Sequence, residues 1–212
     1  MGSRIMHLAI ANELLKEFPD LDRNRFLFGS LLPDAAAEGN SHRRITVCGG
    51  GMRTYDLSGF RGQYAGRLNT DALYLGFYLH LIQDMAFRQF VYGTHRWDPS
   101  PPGNIERLHR DYAILNGYLI GQYRLTPDVW VPPGIEAEPL LRECVYESDA
   151  LVLELRADFA QRENGALFFF QEDMTDEYIA LSLPYCRREI AAIQTGRGFM
   201  DELSMAWELK GP

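Results

Sequence analysis

Residues 72–92, ALYLGFYLHLIQDMAFRQFVY, are apolar on nearly every side, and that run constrains the fold more than any other stretch. Its spacing predicts a helix over about 70–92, capped by Asn69 or Thr70. A helix that is apolar all the way round has to be enclosed by other elements. The chain has 212 residues, 46% of them hydrophobic, enough for one domain that wraps such a helix.

The wrapping elements read as helices too. Ser3 caps a first helix over 3–18, where Met6, Ile10, Leu14 and Phe18 recur at helical spacing. A second, about 22–32, stops at LLPD because Pro33 disfavours helical geometry at Leu32. Residues 38–68, with their CGGG, read as a long loop. Helices follow over 104–123, about 137–162 and 175–195, the last bent at Pro184. ALFFFQED reads as a short strand or a buried helix entry. The expected fold class is all-α, with 1–212 as a single domain.

Composition removes some functions. A net charge of −8 argues against a broad nucleic-acid surface. No stretch reaches eighteen uninterrupted apolar residues, so no transmembrane segment is expected. The first residues lack the pattern of a signal peptide, and Cys48, Cys144 and Cys186 are odd in number and irregular in spacing. Both observations point to a cytoplasmic protein with reduced thiols.

His80 and Asp84, four residues apart, share one face of the apolar helix. An unpaired carboxylate there costs several kcal/mol or takes up a proton. Either a bound cation resolves this, or Asp84 pairs with His80 or Arg88. Three more residues bear on the choice. His7 lies on the apolar face of the first helix, Asp34 follows the LLP break, and His42 sits in NSHRR. Arg43, Arg44, Arg53, Arg61 and Arg67 gather positive charge in the 38–68 segment, as a phosphate contact or a solvated loop would. Tyr55, Phe60 and Tyr64 in the same segment either wall a pocket or anchor the loop.

MHLAIANELL (6–15), RFLFGSLLPD (25–34), SHRR and YLGFYLHLIQD (74–84) together resemble the zinc-dependent phospholipase C group, related to S1/P1-type nucleases. The resemblance covers about the first 92 residues. RLHRDYAILNGYLI further looks like the next helix of small bacterial relatives. The resemblance implies a helical domain of that type with a metal site between helices. Asp34, His42, His80 and Asp84 would form one zinc site, and His7 would join a second metal bridged by Asp84. The group's third zinc uses a His-x-x-x-Glu motif, whereas Ala113 stands four residues after His109. The secreted members' N-terminal ligand is also not expected, with six residues before His7. One or two ions are therefore expected, with His95, His109 and Asp111 as a candidate substitute site.

A His/Asp set without cysteine suits zinc best, with manganese or iron as alternatives. The expected activity is hydrolysis of a small phosphoester, a phosphodiester above all, with Asp34 or Asp84 handling the proton of a metal-activated water. Arg43, Arg44, Arg53 and Tyr55 are the candidate substrate contacts. The alternative is an inactive relative that acts as a metal-stabilised binding module. A hydrolase of the HD type is disfavoured, because no His-Asp dipeptide occurs. Substrate identity and oligomeric state stay open.

Overall fold

The computed structural model describes residues 2–161 and 163–208. Seven helices make up most of it, 62% helix against 7% strand. α1 (Arg4–Glu17) starts at Ser3, whose hydroxyl accepts the Met6 N–H, as expected from a capping serine. α2 (Arg23–Leu31) runs directly into a 3₁₀ turn, Leu32–Ala35. Pro33 thus ends the α-helix but not the helical path. Leu32 keeps φ −57° and ψ −36°, and the tighter turn takes in the proline at its start. That continuation fixes the position of Asp34.

The segment expected to be a loop is largely ordered, and it adds a small sheet to a fold that is mostly helical as expected. β1 (Ala36–Glu38) pairs with β4 (Val145–Tyr146). β2 (Arg44–Val47) and β3 (Met52–Tyr55) form an antiparallel hairpin around the CGGG turn, and β5 (Trp207–Glu208) extends it. RITV and MRTY supply the β-branched residues, and the glycines supply positive φ at Gly49 and Gly50. α3 (Leu57–Leu68) follows, capped by Asp56. Its buried residues Leu57, Phe60, Tyr64 and Leu68 keep helical spacing, which interleaved glycines obscure in the sequence.

The apolar helix is α4 (Ala72–Arg88), and every residue from Ala72 to Phe87 is buried. Its cap is Asp71, whose carboxylate takes the Leu73 N–H, in place of the expected Asn69 or Thr70. A π-helical turn, Gln89–Thr94, ends it. α5 (Asn104–Gln122), α6 (Ser148–Ala160) and α7 (Glu172–Gln194, with Pro184 inside) complete the enclosure. Residues 137–147 form short 3₁₀ turns and β4, so α6 is shorter than expected. ALFFFQED is neither a strand nor a helix until Glu172, where α7 begins. No described helix is long and apolar enough to cross a membrane.

α2 packs on α4 more extensively than any other pair of elements. The approach is close because glycines meet backbone. A Cβ on Gly76 would lie 2.3 Å from the Phe26 carbonyl oxygen, and one on Gly29 would lie 2.2 Å from that of Leu73. At an ordinary helix position alanine is more stable than glycine by about 1 kcal/mol. Here the helices would have to separate, at about 1–3 kcal/mol. Gly76→Ala is therefore expected to destabilise the protein by up to about 2 kcal/mol in urea denaturation. A gain in stability would contradict the close approach.

Candidate metal centre

The close packing of α2 on α4 brings the polar residues of four segments together. α4 supplies His80 and Asp84, α1 supplies His7, the 3₁₀ turn after α2 supplies Asp34, and the loop between β1 and β2 supplies His42. His7, His80 and Asp84 are fully buried, and His42 is 8% exposed. The ligand atoms of His7, His80 and Asp84 lie within 4.8 Å of one another, as do those of Asp34, His42 and His80.

Hydrogen bonds set which nitrogen of each histidine faces inward. His80 Nδ1 is 2.9 Å from the Ser30 carbonyl, one of the unpaired carbonyls at the end of α2. A carbonyl only accepts, so Nδ1 carries the proton and Nε2 presents a lone pair. The Ser41 hydroxyl donates to the Pro33 carbonyl at 2.8 Å, so its oxygen is left to accept from His42 Nδ1 at 3.1 Å. His42 Nε2 is therefore a lone pair as well. His7 Nδ1 donates to Gln83 Oε1 at 2.7 Å, and its Nε2 has no hydrogen-bond partner.

These atoms converge at regular distances. His42 Nε2 is 3.3 Å from His80 Nε2, 3.3 Å from Asp34 Oδ1 and 3.5 Å from Asp84 Oδ2. His80 Nε2 is 3.8 Å from Asp34 Oδ1 and 3.7 Å from Asp84 Oδ2. The edge of a tetrahedron around an ion with bonds of about 2.0–2.1 Å is about 3.3–3.4 Å. The two shortest of these distances match that length, and the other three are 3.5 to 3.8 Å. The other oxygen of Asp84 faces the other way, with Oδ1 3.5 Å from His7 Nε2. Neither of those two atoms has a hydrogen-bond partner. Lone pairs and carboxylates packed this closely need a proton or a cation, and the set fits a cation.

Electrostatics treat His80 and His7 differently. Burial is the main cause that pushes His80 down, to about 3, so its imidazole is neutral near pH 7. Burial opposes the charged forms of Asp34 and Asp84 too, but the surrounding histidines outweigh it and hold both carboxyls below their ordinary range. For His7, burial is outweighed by Asp84 and Asp34, and its pKa is raised. Asp84 has no ion pair with Arg88. That guanidinium instead lies 3.9 Å from the centre of the Trp207 ring. The hydroxyl of Tyr55 reaches Asp84 Oδ2 at 3.4 Å.

The other candidates are placed elsewhere. Arg43 bonds Glu143 and Gln63, at 2.6 and 2.8 Å. Arg61 bonds the Tyr78 hydroxyl, and Arg67 meets Glu138 and Asp71. Arg44 starts β2, and Arg53 lies on β3 opposite Thr46 and Trp207. Tyr55 is buried against Trp207, a partner of Asp84 more than a pocket wall. His95 packs on Phe90, His109 is exposed, and Asp111 accepts the backbone N–H groups of Phe168, Phe169 and Phe170. The structure does not bring these last three together as a ligand set among the described residues.

Ser30, Ser41 and Gln83 carry no signal of their own in the sequence, because their roles depend on long-range contacts. No family model, curated protein or solved structure matches the chain.

The pH dependence of the metal-free protein tests the neutral His80. Below its ordinary value of 6.5, the unfolded chain takes up a proton that folded His80 refuses until about pH 3. His80 thus contributes stability that is lost as pH falls through that window. His7, shifted upward, contributes stability fully present below 6.5 and lost at higher pH, so it adds little slope below about pH 5.5. The depressed Asp34 and Asp84 lose their contributions only at lower pH, through the carboxylate range. Between about pH 5.5 and 4.5, stability is expected to fall by about 1.4 kcal/mol per pH unit. Urea denaturation across that interval measures it, and a flat or inverted slope would mean a protonated His80.

Proposed function

We propose that the chain is a zinc-dependent phosphoesterase of the phospholipase C and S1/P1 nuclease type, acting on phosphodiesters. The observation that supports it best is the convergence of Asp34 Oδ1 and Asp84 Oδ2 on His42 Nε2 and His80 Nε2 at 3.3 to 3.8 Å. His7 Nε2 and Asp84 Oδ1 offer two donor atoms for a second ion, with Asp84 between the two. Nitrogen and oxygen donors without cysteine suit zinc. When bound, zinc supplies the Lewis acidity that activates water near neutral pH and offsets phosphoryl charge.

The chain's own groups divide the remaining work. Ser30, Ser41 and Gln83 hold the three imidazoles with their outer nitrogens protonated, so the inner ones are free to bind. Tyr55 steadies the fully buried Asp84. Asp34 is the carboxylate with an exposed edge, its side chain 12% accessible, and is the better placed to take a proton from an attacking water. Complete burial of His7, His80 and Asp84 also favours a second reading, in which the metal only braces a binding module.

Protein purified without chelator, or supplemented with zinc, is expected to hydrolyse bis-p-nitrophenyl phosphate slowly, to lose that activity to a chelator and to regain it with zinc. A fully metallated protein inactive on phosphomonoesters and phosphodiesters alike would favour the binding module. Asp84→Asn is expected to lower bound metal at least tenfold, while Arg88→Ala retains it, as measured by elemental analysis. Equal losses in the two variants would contradict the assignment of Asp84 as a ligand.

A further inference from the structure

Asp34 opens onto a cleft of about 460 Å³. Gly2 lines the same cleft, and a Cβ there would lie 3.4 Å from His7 Nε2. The cleft therefore meets the donor cluster at Asp34, and Gly2 stands between it and the buried His7. The arginines of the 38–68 segment are absent from its lining among the described residues. The cation present is Arg4, held on α6 by Asp158 at 3.0 Å and Glu154 at 2.6 Å.

The lining shows what such a cleft would accept. Arg4, Asp158, His109 and Asn116 give it donors and acceptors close together. Asn116 is only 7% exposed, and its Oδ1 is buried without a partner. A buried acceptor left unpaired is unfavourable, and a ligand hydroxyl would satisfy it as the amide turns to it. Apolar surface makes up a little under half of the lining, with Ala113 and the Tyr112 ring among its sources. Tyr112 is not a platform for a base, because its ring is 7% exposed and packed against Phe87 and Phe170.

We propose that this cleft is the substrate site and that it takes the phosphoester of a small polyhydroxylated alcohol, a polyol or sugar. Hydroxyl groups both donate and accept, which matches Asn116 and the Asp158–Arg4 pair, while the phosphate lies toward Asp34. The proposal rests on the phosphoesterase reading of the metal centre and adds the class of alcohol.

Calorimetry on the zinc-loaded full chain tests it with two probes of equal charge, glycerol 1-phosphate and propyl phosphate, which differ by two hydroxyls. Glycerol 1-phosphate is expected to bind about tenfold more tightly, as sites built around hydrogen bonds discriminate. In Asn116→Leu the ratio is expected to fall below about threefold. The wild-type comparison needs no variant and so stands if Asn116→Leu does not fold. Equal binding of the two probes by protein that hydrolyses bis-p-nitrophenyl phosphate would overturn the polyol assignment and leave the phosphoesterase reading intact. Faster hydrolysis of phosphatidylcholine vesicles than of the p-nitrophenyl ester of glycerol phosphate would overturn it too. Absence of both binding and hydrolysis would remove the two together.

Discussion

Two imidazole lone pairs 3.3 Å apart, with carboxylate oxygens at similar distances from both, repel one another unless something positive lies between them. The rest of the structure depends on that constraint. Each imidazole is fixed from behind by a group that can only accept its proton, or whose own proton is already used. His7, His80 and Asp84 are fully buried, and the cluster meets solvent at the edges of Asp34 and His42. Without a cation the arrangement would be costly, and a fold that keeps it is using the folding energy of its core to hold donor atoms ready.

The core that does so is the contact between α2 and α4. Glycine against backbone at Gly29 and Gly76 lets the end of α2 reach His80, so that the Ser30 carbonyl meets its ring and Asp34 meets its free nitrogen. The 3₁₀ turn through Pro33 carries the chain on to Asp34 without a break. The Pro33 carbonyl then receives the Ser41 hydroxyl, which orients His42. The helix packing and the orientation of the ligands are thus one set of contacts.

Much of this was legible in the sequence. The periodicity of α4 reveals a buried central helix, and the His80/Asp84 spacing reveals a pair of polar groups inside it. The Ser3 cap and the order of the long helices follow from local rules, whereas α4 is capped by Asp71 in place of Asn69 or Thr70. The 38–68 segment was hidden because glycines dilute the helical pattern of α3 and because β1 and β3 find partners, β4 and β5, far along the chain. Charge was misleading for a related reason. Arg43, Arg61 and Arg67 look available in sequence, but their partners Glu143, Glu189 and Glu138 come from the far half of the chain. The pairing that ties Arg4 to α6 is equally non-local.

The most direct measurement is an anomalous difference map, recorded on either side of the zinc absorption edge from crystals of protein purified without chelator. The account predicts a peak between His42, His80, Asp34 and Asp84 that vanishes below the edge, with metal–ligand distances of about 2.0–2.2 Å. A clear map with no peak there after zinc supplementation, and with the four side chains still converged, would contradict it. The same positions would then be held together by a shared proton.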